Sequence, residues 1–224
     1  MRATQATLPF RPQHGGARPG AGRKPKGQQA GVAHSSRAPL AARFPAHVTA
    51  KLGEHLPALR RKDAYAALRA AFAAGCDRNG FRLVHYAVLN DHLHFVVEAG
   101  SRTALSRGVQ GLLVRVARAL NRLWGRSGRV FADRFHDRIL KSPREVRNVL
   151  VYVLGNARHH AAAGRMVAAA QPIDMFTSAP WFDGFREAIV VQKVPDRPVA
   201  NARTWLLSLG WRRHGLLSVL EAPA

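Results

Sequence analysis

Cysteine is almost missing from this chain of 224 residues: Cys76 is the only one. An internal disulfide and a cysteine-rich zinc site are therefore excluded. Acidic residues are scarce, 13 against 35 Lys and Arg, and none occurs before Glu54. No apolar run approaches the roughly 20 residues that a helix needs to span a bilayer, so a transmembrane protein is not expected. The first residues hold no apolar leader core, which points to the cytoplasm, in association with the nucleoid for a chain this basic.

What is abundant is positive charge. The formal net charge is +22, and a balance of that size implies a polyanionic partner, nucleic acid by default. Most of the charge is arginine, whose planar fork grips phosphate and stacks on bases. A high-GC codon bias accounts for arginine over lysine but not for the shortage of acids. With 47% hydrophobic residues the chain can build a core, and its length suits one domain with appendages.

Three segments are expected. Residues 1–45 read as a basic, Gly/Pro-rich disordered tail, whose Arg23, Lys24 and Lys26 are candidate DNA contacts. Residues 46–163 read as the catalytic domain, and 164–224 as an extension that packs on it or binds DNA. Within the domain, His47–Leu52 alternates like a strand. A helix is expected from about Arg60 to Cys76, then strands Phe81–Leu89 and His92–Glu98 around an Asn90-Asp91 turn. Thr103–Trp124 is a long amphipathic helix. Its Arg115, Arg118 and Arg122 share a second face, a candidate track for a phosphate backbone. A strand near Phe135–Lys141 follows, with Arg134 and Arg138 as further phosphate contacts. Ser142-Pro143-Arg144-Glu145 is a capping box that starts a helix running to about His160. The first six elements, β-α-β-β-α-β, predict an α+β, ferredoxin-like split βαβ fold: an antiparallel sheet with helices on one face. In the extension a short helix is expected near Thr204–Leu209.

The informative local sequence is His92-Leu93-His94. On a strand the two imidazoles point to one face, about 7 Å apart along the backbone, and Leu93 and Phe95 to the other. Such a pair can converge on one metal ion, though similar pairs also occur incidentally on half-exposed strands. On the capped helix, with Val146 at zero and about 100° per residue, Val149, Leu150, Val153 and Leu154 form the apolar stripe. Tyr152 falls near 240° and Asn156 near 280°, neighbours off that stripe. A phenol has a free pKa near 10 and is a weak nucleophile. Attack on a phosphodiester needs a Lewis acid on the phosphate and help for the phenolate. Two histidines, a helical tyrosine and an amide oxygen from Asn156 supply those parts, with a ligand set that suits Mn²⁺ or Mg²⁺.

At this point the chain resembles the single-tyrosine HUH transposases, and most closely the REP-associated tyrosine transposases. The likeness rests on His92-Leu93-His94, on Tyr152-Val153-Leu154-Gly155-Asn156, and on Gly128–Phe135 between them, and covers about residues 47–162. Two positions differ from the commonest pattern: Ala157 follows Asn156 where proline is usual, and Asn90-Asp91 precede the first histidine in place of Pro-Asn. The resemblance implies a metal-dependent DNA transposase that cleaves and rejoins single-stranded DNA, often beside a hairpin, through a 5′-phosphotyrosine link. It implies Tyr152 as nucleophile, His92, His94 and Asn156 as metal ligands, and a monomer or homodimer. The rival readings are a non-catalytic nucleic-acid-binding protein of the same fold, and a replication-initiator-like HUH endonuclease. His85 and Glu98 fall on the histidine face and are expected to be structural.

Overall fold

A computed structural model describes residues 39–155, 173–189 and 196–221. Five strands form one sheet: β1 (Ala46–Lys51), β2 (Asp77–Arg78), β3 (Phe81–Val88), β4 (His92–Ala99) and β5 (His136–Ile139), in the order β2-β3-β4-β1-β5, all neighbours antiparallel. The long helices are α1 (Lys62–Ala73), α2 (Arg102–Leu123) and α3 (Pro143–Leu154). Setting aside β2, the element order and the sheet order are those of the ferredoxin-like split βαβ fold.

Strand alternation divides the core in two. The even residues of β1 (Ala46, Val48, Ala50) and the odd residues of β4 (Leu93, Phe95, Val97) join the buried faces of α1 and α2. Leu105, Val109, Leu112, Val116 and Leu120 repeat at helical spacing and supply the α2 stripe. Ser101 caps α2 by accepting from the Ala104 N–H at 3.1 Å. Gly108 is required where α2 crosses β3, because a Cβ there would stand 2.2 Å from the Phe81 ring.

The opposite face of the sheet is covered by α3 and by the C-terminal residues. Val84, Ala87 and Val96 meet Val146, Leu150, Val153 and Leu154, together with Leu206, Leu207, Trp211 and Leu217. Helix α3 starts on the full capping box: Ser142 Oγ accepts from the Glu145 N–H, and the Glu145 carboxylate accepts from the Ser142 N–H. It ends at Leu154 with Gly155 as its C-cap, short of the end expected near His160, since glycine weakens a helix by about 1 kcal/mol. Helix α1 is also shorter than expected, because Arg60 is drawn off its start into a bidentate pair with Asp174.

Strand β2 was not expected from the sequence. It is two exposed residues long, too short for a period, and is closed by Asn79-Gly80, both at positive φ (49° and 75°) as a tight hairpin turn requires. In β3 the register shifts between Leu83 and His85. This bulge lets Val84 and His85 both lie on the α3 side while Tyr86 returns to the α1 side.

The C-terminal residues run along the outer edge of β3, where the Val88 N–H donates to Phe176 O and the Ser178 N–H to Tyr86 O. A short helix, α4 (Trp205–Ser208), and a 3-10 turn at Gly210–His214 follow, and Trp211 is fully buried. Glu98, itself 1% exposed, fastens this segment. Its carboxylate pairs with Arg82 at 2.9 Å and accepts from the N–H groups of Arg203 and Thr204 and from the Thr204 hydroxyl at 2.7 Å. Removing it leaves a half-buried arginine and two backbone donors without their acceptor. Glu98→Ala is expected to cost about 3–5 kcal/mol in chemical denaturation and to speed proteolytic cleavage after Arg203.

Candidate functional site

The site lies on the sheet face that carries α3. The odd residues of β1 and the even residues of β4 point there, and the antiparallel register sets Thr49 opposite His94 and Lys51 opposite His92. His94 is buried, 4% exposed, and lies at the centre of the cluster. Its Nδ1 is 3.1 Å from His47 Nε2 and 3.2 Å from Thr49 Oγ1, and its Nε2 is 3.3 Å from the Tyr152 hydroxyl. The His92 and His94 ring centroids are 4.8 Å apart and perpendicular, and the His94 and Tyr152 rings are 5.1 Å apart. Tyr152, off the apolar stripe of α3, is thus brought against the histidine strand rather than left on the helix flank.

Hydrogen bonding sets the ring states. The Asp91 carboxylate stands 2.7 Å from His92 Nδ1. Ionised, it only accepts, so His92 Nδ1 carries the proton and Nε2 is the basic nitrogen. His47 is held neutral: burial first, and then the charge of Arg138 beside it, push its pKa down to about 4. Its Nε2 lone pair can then take the proton of His94 Nδ1, which leaves His94 Nε2 toward the tyrosine. Arg138 is itself tied to Glu145 at 3.0 Å, so the carboxylate that closes the α3 capping box also steadies the charge beside His47.

A divalent cation fits this donor set in part. Both imidazoles hold Nδ1 against protein partners and present Nε2 as the ligating nitrogen. Among the described residues, no cluster of three or more His, Cys, Asp or Glu side chains is arranged to hold a metal ion. A cation would need a further donor of another kind. Asn156, the expected third ligand, lies outside the described residues, as do Arg23, Lys24 and Lys26.

The remaining expected residues divide by face. Arg138 is on the site face, opposite His47 on the β1–β5 ladder. Arg134 precedes β5 and lines a groove on the other side of the sheet. Arg115, Arg118 and Arg122 lie on α2, behind the sheet, and are not brought to the histidines. His85 is opposite Val96 as expected, but it is enclosed by Ser178 and Phe182 at the C-terminal segment. Sequence reasoning took His47–Leu52 only as an alternating strand and missed His47 and Thr49 as part of the site. The signal was present: His47-x-Thr49 has the same two-residue spacing as His92-x-His94.

Residues 47–149 match the model of the family described as "Transposase IS200 like", and over this segment the chain is similar to that family. A solved structure described as the "REP associates tyrosine transposase bound to a REP hairpin" superposes with a TM-score of 0.52 at 14% identity, over 67% of this chain and 84% of that one. At that identity the likeness is one of fold. A transposase structure from Deinococcus radiodurans R1 aligns at a TM-score of 0.39 and 13% identity, over 62% of this chain and 100% of that one, too loosely to add to the assignment. No curated protein sequence matches the chain. Among the described residues no helix is long and apolar enough to cross a membrane.

The buried histidines predict a pH dependence. His85, like His47, is kept neutral, its pKa pushed down to about 3 by burial and then by Arg197. The unfolded chain takes up these protons near 6.5, the fold only near 3 to 4. Stability is therefore complete above pH 6.5 and falls as the pH drops from there toward 4. The melting temperature should decline through that window, and less steeply in His85→Gln. A flat profile in the native chain would contradict the assignment.

Proposed function

We propose that this transposase cleaves and rejoins single-stranded DNA with Tyr152 as nucleophile and a divalent cation, Mg²⁺ or Mn²⁺, as cofactor. The observation that carries the reading is the Tyr152 hydroxyl 3.3 Å from His94 Nε2, a helical phenol set against a pair of strand histidines. His92 and His94 would hold the cation, with Asn156 as third ligand. When bound, it supplies Lewis-acid polarisation of the scissile phosphate.

The chain's own residues account for the rest. Tyr152 is held on α3 by the apolar stripe beneath it, so its oxygen is oriented before substrate arrives. As the phenolic oxygen bonds to phosphorus, the bond from phosphorus to the 3′-oxygen breaks. The phenolic proton is released to solvent and the departing 3′-oxygen takes one up. The products are a 5′-phosphotyrosine and a free 3′-OH, and one phosphodiester has been exchanged for another. Attack by a 3′-OH on that link reverses the chemistry and rejoins a strand, with no external energy source. Arg138 and Lys51 flank the histidines and can neutralise the phosphate. His47 and Thr49 act through His94, fixing its ring as the outer partners of metal-bound histidines do. A single-stranded DNA substrate with a hairpin follows from the charge and from the REP-bound relative.

The test uses single-stranded oligonucleotides from the DNA flanking the gene, with Mn²⁺, on a denaturing gel. Native protein should give a covalent adduct and Tyr152→Phe none. Binding without any adduct would favour the non-catalytic rival. A second outcome separates the imidazoles: His92→Ala and His94→Ala should abolish cleavage. His47→Ala should slow it about 10–100-fold, with partial recovery in His47→Gln, whose amide oxygen also accepts a hydrogen bond.

A further inference from the structure

The face of the sheet behind the histidines carries a groove of about 870 Å³, between one edge of α2 and the loop from Gly128 to Phe135. Its floor is apolar: Leu113, Val114 and Ala117 from α2, and Phe131 from the loop. Val114 is 43% exposed although apolar. Its rim is basic, with Arg129 and Arg134 exposed and Arg102 tied to Asp137. Asp133 is the one acid that lines it among the described residues. From Arg102 to Ala117 the α2 edge of the groove runs about 22 Å, long enough for several nucleotides.

The loop that forms the outer wall is stitched to the strand that carries the site. The Gly53 N–H donates to Val130 O, the Ala132 N–H donates to Lys51 O, and Leu52 pairs with Phe131. Lys51 is opposite His92, and the loop leads directly into His136 and Arg138 of β5, on the site face. A strand held at the histidines therefore passes the β1–β5 end of the sheet to reach the groove.

We infer that this groove is a binding site for single-stranded nucleic acid flanking the bond that is cut, with bases on the apolar floor and phosphates on the arginine rim. The inference takes the identity of the polymer from the reading above. Charge decides among occupants. A second copy of a chain of net charge +22 is repelled by the rim, and a polyanion is attracted. Stacking on an aromatic such as Phe131 is tolerant of sequence, as binding to a flanking strand requires.

The full chain carrying Tyr152→Phe, which cannot form the adduct, is titrated by fluorescence anisotropy with a labelled single-stranded oligonucleotide and with its duplex. Val114→Glu should weaken single-strand binding about tenfold relative to duplex binding. Leu220→Glu makes the same charge change on an apolar residue that is 75% exposed near the C-terminus, and it should leave that ratio unchanged. A single strand carrying 5-iodouracil should photocrosslink to the peptide that contains Phe131. Equal losses in the two glutamate variants, or crosslinks confined to other peptides, would overturn the inference. So would a Val114→Glu variant that halves the molecular mass in light scattering with single-strand binding intact, which would give the groove to a second copy. The adduct assay on native protein is read separately: its failure would sink the catalytic reading and leave the groove standing.

Discussion

Thr49 faces His94 across the β1–β4 ladder, and nearly everything else about the site depends on that pairing. Side chains in a strand alternate between faces, so slipping either strand by one residue would turn its set over. His92 and His94 would then enter the α1–α2 core, and Leu93 and Phe95 would face solvent. The buried apolar residues on the far side hold the register against that slip. The hydrophobic core thus sets the site: Val48, Ala50, Leu93 and Phe95 lie on the face opposite the histidines and fix where each of them stands.

The site is also assembled against a gradient of charge. Among the described residues, the β1 groups beside His94 are neutral or positive: His47 kept uncharged by burial and by Arg138, Thr49, and Lys51 further along the strand. Asp91 sets a carboxylate against His92 from the turn that precedes β4. Such a surface favours an anion over the sheet. Glu145 keeps Arg138 in place from the α3 side, so helix start, edge strand and histidine cluster are linked through one carboxylate.

Much of this was legible in the sequence, and the limits have physical causes. Period-two alternation located β1, the Asn90-Asp91 turn set β3 and β4 on either side of it, and the capping box fixed the start of α3, because all three signals are local. The helical angle of Tyr152 showed that it left the apolar stripe, and the His92-x-His94 spacing showed a shared face. What was not legible required pairing between distant residues. His47 joins His94 only because β1 lies between β4 and β5, a neighbour relation that strand periods do not contain. The arginines of α2 share a helical face, but only the packing shows that this helix lies behind the histidines. β2 escaped because two residues have no period, and the β3 bulge because it breaks one.

The sheet's second layer also separates two boundaries that are often equated. The segment that matches the IS200-like transposase family stops at residue 149, yet the surface of β3 and β4 beneath α3 is closed by Ile173, Leu206, Leu207, Trp211 and Leu217. A fragment cut at residue 149 would carry its histidines, lose Tyr152 and bare an oily flank, and such flanks make proteins clump. The stretch of shared sequence and the stretch that closes the core are therefore different lengths of the same polypeptide.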